Sequence, residues 1–438
     1  MCVTELPWPA CIPLLTRNPN QEMGEVALKK KLLIVVGAGA SVEFGMPSVS
    51  EVDKIFALEA QRYYPLAHDT TKNLYQFFQN EVQRYYDQHA KPALRKWTNF
   101  EELIYIVNLV ASNIQDHEFQ RGANALFPLP RIPDVAEHAV SRKSVTGDML
   151  RRMSAGLLDK LVEEFITRCS TLGTGKAAEI ADMQTLLNAL ADDFDLGIFT
   201  LNYDNVFSLA KPGLHTGFNQ SNGKFEPDSV LNRSDWNYLY HLHGSVHFQL
   251  VPAPGEFHGI AWTDTPTFGN DVKALNRNPQ SVVEGTDFPI SIFIAGYGKT
   301  MQALRQPYRT YLAQLNRAAH EAEAILFVGY GFADLHVNSV FSHIRERCRP
   351  TVIIDFAQPT QDPLQFRNDT WAWNLEKTVL TGRHTMAAPS SSSAPYIGDL
   401  RDNKEFEVSP NSNTPLAVWY DGMISACQNS QKIIRHLN

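Results

Sequence analysis

Leu32-Leu-Ile-Val-Val-Gly37-Ala38-Gly39-Ala40-Ser41 is an apolar run that ends in a glycine turn. Its first five residues are uninterrupted and β-rich, as expected of a parallel strand covered on both faces. Gly37 and Gly39 let the backbone turn tightly and approach a ligand with no Cβ in the way. Ser41 then opens a helix whose free N–H groups would face a diphosphate. Alone, a short Gly-x-Gly fits a plain strand-to-helix turn equally well.

Three later segments have the same form, an apolar strand ending in a polar cluster. They are Gly197-Ile-Phe-Thr200-Leu-Asn202-Tyr-Asp204, Tyr238-Leu-Tyr-His241-Leu-His243-Gly-Ser-Val-His247, and Ala324-Ile-Leu-Phe-Val-Gly329-Tyr330-Gly331-Phe332-Ala-Asp334. In open α/β sheets, ligands bind beyond the carboxyl ends of the strands, where these clusters fall. Further strands are expected at Ile290–Ala295 and Thr351–Ile354, with a helix around Tyr308–Glu323. Strands alternating with helices predict an α/β fold built on a Rossmann-like parallel sheet.

Between the first and second of these strands the pattern is helical. Phe100, Leu103, Ile104 and Val107 recur at helical spacing, and Met149, Leu150, Met153, Leu157, Leu158, Leu161, Val162 and Phe165 trace a longer stripe. These stripes read as helix–helix core. The expected organisation is an extended Pro-containing arm over 1–28 and a nucleotide-binding domain over 29–375 with an all-helical insertion at about 50–195. A C-terminal extension follows over 376–438. Its Pro389–Pro395 stretch is low-complexity, and the Pro-, Gly- and Asp-rich residues 247–290 read as irregular loop or lid. Leu416, Tyr420, Met423, Cys427, Ile434 and Leu437 are expected on one face of a terminal helix that either caps the domain or meets another subunit.

The 438 residues carry a net charge of −8, with 44% hydrophobic and 20% charged residues, which describes an ordinary globular protein. Nothing in that balance points to nucleic acid or an anionic membrane. No run reaches the ~20 apolar residues of a membrane span, and the cytosol is the expected compartment. Five scattered cysteines, never in a Cys-x-x-Cys pair, exclude a thiolate zinc cage and favour reducing surroundings.

The clusters suggest chemistry. Asn202 can donate and accept at once, and so could hold a ribose hydroxyl or position a water. Asp204 could accept from a carboxamide; both residues equally suit a strand-end turn. His243, with Gly244 leaving room beside its ring, suits a general base. His241 and His247 nearby raise a metal site, but no carboxylate or cysteine stands in register with them, so no metal is expected. Gly329 and Gly331 offer a second close backbone approach. Asp334 and Asn338 are expected to cap the next helix, and Asp355, closing Thr-Val-Ile-Ile-Asp, suits either adenosine-ribose hydroxyls or a turn.

Together the four segments resemble the sirtuin-like NAD-binding fold, and more narrowly the bacterial sirtuin-like branch found in antiphage defence systems. The resemblance rests on Gly37–Ser41 with Gly45-Met-Pro47, Thr200-Leu-Asn202-Tyr-Asp204, His243-Gly244, and Gly329–Phe332 with Asp334, in that order. It implies that Gly37, Ala38, Gly39, Ala40, Ser41, Gly329, Tyr330, Gly331 and Phe332 line the phosphates. Pro47, Thr200 and Asp355 join that binding set. Asn202 and Asp204 would lie beside the nicotinamide ribose and carboxamide, with His243 as base. Two departures qualify it. The four zinc cysteines that protein-deacylating sirtuins carry after His-Gly are missing, and their Pro-Asp-Phe-Arg stretch is here Pro47-Ser-Val-Ser50. Both oppose an acyl-lysine co-substrate and leave water. The implied activity is NAD hydrolysis to nicotinamide and ADP-ribose, in a homo-oligomer with a HerA-type ATPase or another protein as candidate trigger subunit. A non-catalytic NAD or ADP-ribose sensor and an NAD-dependent deacylase are the competing classes.

Overall fold

A computed structural model describes residues 29–89, 98–114, 131–138, 141–252, 258–275, 289–344, 347, 349–357, 396–409 and 415–438. The expected arm at 1–28 and the Pro389–Pro395 stretch lie outside these residues, as do Cys2, Cys11 and Cys348.

Eleven strands are described. They are β1 (Lys30–Val36), β2 (Val135–His138), β3 (Ser141–Lys143), β4 (Phe194–Thr200), β5 (Tyr238–His241), β6 (Phe248–Val251), β7 (Gly259–Trp262), β8 (Ala324–Val328), β9 (Thr351–Ile354), β10 (Glu407–Val408) and β11 (Leu416–Trp419). Seven form one sheet in the order β10-β11-β9-β8-β1-β4-β5, parallel throughout except for β10 against β11. The α/β Rossmann-like architecture is therefore present.

Leu32 to Val36 are fully buried, as a central strand sandwiched by helices requires. Helices Ala177–Asp193, Gly422–Gln428 and Ser430–Leu437 contact one another and pack on β4, β8 and β9. Helix Tyr308–Glu321 packs on β1 and β5. Ile433, Ile434 and Leu437 are buried in these contacts, so the terminal helix spends its apolar face within the chain.

The chain runs β1, β4, β5 to one side, then returns to β8, β9 and β11 on the other. The crevice at such a reversal is where open α/β sheets take ligands. Register closes it: Val36 pairs with both Thr200 and Val328, and Val328 with Ile354. Gly37, Leu201, Gly329 and Asp355 thus leave the sheet side by side.

Four expectations need correction. Residues 290–295 are not a sheet strand. Ile292, Phe293 and Ile294 are buried in an irregular segment that, among the described residues, bridges to Gly244 and Leu275 and does not join the sheet, which ends at β5. Leu416 does not begin a helix: Leu416–Trp419 is a buried strand beside β9, and two helices follow. Between β1 and β4, the described helices Val49–Tyr63, Leu74–His89, Phe100–Asn113, Gly147–Gly175 and Ala177–Asp193 are interrupted by the β2–β3 hairpin, so that region is not all-helical. The stretch after His247 likewise contains a hairpin, β6–β7.

Among the described residues no helix is long and apolar enough to cross a membrane.

Candidate active site

A cavity of about 670 Å³ opens at the carboxyl ends of β1, β4, β5, β8 and β9, within the ~300–1,000 Å³ usual for small-molecule sites. Of the sequence-selected residues, Gly37, Ala38, Gly39, Ser41, Pro47, Asn202, Asp204, His243, Gly329, Tyr330, Gly331 and Asp355 line it. Three do not. Ala40 is buried beneath the turn, and Phe332 is buried against Phe327 and Tyr330. Thr200 faces its own strand end, where its hydroxyl accepts the Asn202 N–H at 3.0 Å. These three shape the walls rather than touch the contents.

The two glycine turns lock together. Gly37 N–H donates to Val328 at 2.8 Å, Gly39 N–H to Gly329 at 3.0 Å, and Gly329 N–H to Ile354 at 2.8 Å. A Cβ on Gly37 would lie 2.6 Å from the Gly329 oxygen, and one on Gly329, at φ +56°, 2.0 Å from the Ala40 nitrogen. Glycine is required here first for backbone-to-backbone packing. The helix after the turn is only Gly39–Val42, starting before Ser41, so no long helix dipole points into the site.

Asn202 spans the two sides of the crevice. Its side-chain amide donates to the Gly37 carbonyl at 2.9 Å and to the Ser41 hydroxyl at 2.8 Å, leaving Oδ1 buried with no partner among the described residues. Asp204 accepts the Val206 N–H at 3.0 Å, the turn expected of it, and the Ser41 hydroxyl lies beside its buried carboxylate. Burial pushes its carboxyl above the ordinary range, opposed by Ser41 and the Val206 N–H. Among the described residues the buried Asn202 Oδ1 has no partner, and such an acceptor facing a cavity marks a place for a donor.

His243 follows β5, and Gly244 (φ +114°) admits the 291–294 segment so closely that a Cβ would meet the Ile292 oxygen at 2.2 Å. Ile294 N–H donates to the His243 carbonyl at 2.7 Å, and the Tyr203 hydroxyl to the Ile294 carbonyl at 2.8 Å. Burial, then the charge of Lys299, depress the His243 imidazole well below its usual range, so it is neutral at pH 7.

Around it stands a group the sequence analysis did not assemble. His336 Nε2 lies 3.0 Å from His243 Nε2. Asp334 Oδ1 lies 3.8 Å from the same nitrogen and 2.9 Å from Lys299 Nζ, which also pairs with Glu101 at 2.8 Å. Asp334 therefore does not cap helix Leu335–Ser342 with its side chain. Asn338 lies within that helix, bonded to Phe332 and Tyr330. Burial alone would raise Asp334, but the Lys299 ammonium, paired with it at 2.9 Å, holds it down at about 2. Burial alone would lower Lys299; Glu101 and Asp334 more than offset this and keep it charged. The Asp334-Leu-His336 spacing was the one available signal, whereas Lys299 and Glu101 come from segments with no motif.

His243, Asp334 and His336 bring three ligand-type atoms within 4.8 Å of one another, supplying in space the carboxylate that was missing in register. The Lys299 ammonium already neutralises that carboxylate, and a divalent cation there would face it at close range. The set is balanced as an acid–base network.

Residues 196–376 match the family model of the SIR2-like domain, a span holding Thr200, Asn202, Asp204, His243, Gly329–Phe332 and Asp355 but not the first glycine turn. No curated protein matches the chain. Among solved structures, a Sir2 homolog–NAD complex overlaps 93% of this chain and 91% of its own at 11% identity and a TM-score of 0.34. A mutant Sir2 homologue with 2′-O-acetyl ADP-ribose overlaps 77% and 83% at 12% identity and a TM-score of 0.33. These overlaps are loose, and the fold rests on the sheet order itself.

Proposed function

We propose that this chain binds NAD and hydrolyses it to nicotinamide and ADP-ribose. The observation that carries the reading is the convergence, in one cavity, of two interlocked glycine turns, the unpaired Asn202 Oδ1 and the neutral His243 imidazole. The match to the SIR2-like domain model supports NAD as the ligand. Gly37–Ser41 and Gly329–Phe332 form the diphosphate wall, with Pro47 and Thr200 supporting it and Asp355 toward the adenosine ribose. Asp204 accepts from the carboxamide.

In this reading the C1′–N bond breaks and nicotinamide leaves with its electron pair. Water adds to C1′, oriented by Asn202 Oδ1, and gives its proton to the His243 side of the site. After Gly244 the chain has only Cys348 and Cys427, which supports water rather than an acyl-lysine as acceptor. Residues 29–375 would form the catalytic unit. The defence setting implied by the resemblance belongs to the same proposal: a cytosolic homo-oligomer that depletes NAD during infection, with a HerA-type ATPase as candidate trigger.

Nicotinamide release from NAD, measured for the wild type, Asn202→Ala and His243→Ala, tests it. Each substitution is expected to lower turnover on the order of 10² or more. Unchanged hydrolysis in both variants refutes the site. ADP-ribose binding with no release, with or without candidate trigger proteins, favours the sensor reading, since a binder has no use for a buried base.

A further inference from the structure

The contact between His243 and His336 has a chemical consequence. At 3.0 Å, with both Nε2 atoms facing, one nitrogen donates and the other accepts. Two protonated rings could not approach so closely, and both imidazoles are held below their usual range, first by burial. One proton therefore lies between two neutral rings. Each ring keeps only Nδ1 for other partners.

The rings differ in access. The His243 side chain is 4% exposed, whereas His336 is half-buried at the cavity wall. The charged groups facing them are Asp334, from the loop after β8, and Lys299, from helix Lys299–Gln302, with Glu101 behind Lys299. Lys299 opposes protonation of either ring and Asp334 favours it, so neither ring is driven to hold a charge.

We infer that His243 and His336 act as one acid–base unit, in which His336 carries the proton from the buried base to solvent. The inference rests on the hydrolase reading for its substrate. The proton lost by the attacking water arrives on the outer nitrogen of His243. The shared proton shifts from His243 Nε2 to His336 Nε2, and His336 releases its own outer proton to solvent. One proton enters and one leaves, and no charge stays in the buried site. His336 is thus a positioning and relay residue, with His243 nearest the reacting atoms.

His336→Gln keeps a polar side chain but cannot relay. Its turnover is expected to fall about tenfold or more, with ADP-ribose affinity within about threefold of wild type and partial rescue by added imidazole. The acid limb of its pH–rate profile should also move. Unchanged turnover and profile, or loss of ADP-ribose affinity in step with turnover, overturns the relay. A second measurement needs no turnover: nitrogen-15 NMR of labelled histidines. Wild-type His243 and His336 should titrate in two coupled steps, and His243 alone in one step in His336→Gln. Independent single-step titrations in the wild type overturn the pair. Absent nicotinamide release by the wild type would count against the hydrolase reading, while the NMR result still decides the pair.

Discussion

The Asn202 amide donates to the Gly37 carbonyl at 2.9 Å, joining residues 165 positions apart across neighbouring strand ends. A residue proposed to orient water thus also clamps the first glycine turn. Asn202→Ala is expected to lose hydrolysis and also about 1–3 kcal/mol of stability, since the Gly37 carbonyl and Ser41 hydroxyl lose their donor. Urea unfolding monitored beside nicotinamide release separates the two effects. Stability equal to wild type would mean the clamp contributes nothing.

Gly329 and Gly331 should respond differently to one methyl group. Gly329→Ala places a Cβ 2.0 Å from the Ala40 nitrogen at a positive φ, so the two turns must separate and both fold stability and ADP-ribose binding should fall. Gly331 has open space around its Cβ position while lining the cavity. Gly331→Ala should fold normally and lose only ligand affinity. Calorimetric titration of ADP-ribose with thermal melts of both variants checks this; a destabilised Gly331→Ala contradicts it.

Among the described residues, Lys299 is the cation that stands between Glu101 and Asp334. Lys299→Met leaves two carboxylates side by side in a largely buried place, at a cost of about 3–5 kcal/mol. Adding Glu101→Gln should recover part of that loss, and a double-mutant cycle in urea would measure the coupling. Strict additivity of the two substitutions would rule out the pairing.

Buried histidines set the acid limit of stability. Burial, then the charge of His247, lowers His241 to about 3, opposed by the Asn202 and Gly244 backbone beside the ring. Below an unfolded value of about 6.5 the unfolded chain binds a proton that the folded chain refuses. Stability is therefore full above that pH and is lost as pH falls toward 3, by about 1.4 kcal/mol per unit for each such proton. Asp355 has the opposite sign. Burial raises it to about 6, so between roughly 4 and 6 the folded state binds the extra proton and stability falls as pH rises. His241→Gln should flatten the acid slope and Asp355→Asn should remove the opposing one, as read from urea midpoints between pH 4 and 7.

Strands with continuous apolar runs were legible because burial on both faces demands them: β1, β8 and β9 fall where Leu32–Val36, Ala324–Val328 and Thr351–Ile354 predict. The same rule misread Ile290–Ala295, whose apolar residues fill the space beside Gly244 instead of joining the sheet. It also merged Leu416–Trp419 with the helices that follow, because an apolar tetrad has no periodicity of its own.

By itself the sequence determined that glycine turns and polar clusters end the strands, since those local patterns depend only on backbone freedom and on the burial of adjacent residues. The tertiary structure decided which clusters meet. Placing β1 between β4 and β8 sets Gly37 against Gly329 and beneath the Asn202 amide. It also decided the electrostatics of the base. Glu101, Lys299 and the Asp334-Leu-His336 stretch come from three separate segments, and their meeting around His243 depends on distance in space, which no spacing along the chain encodes.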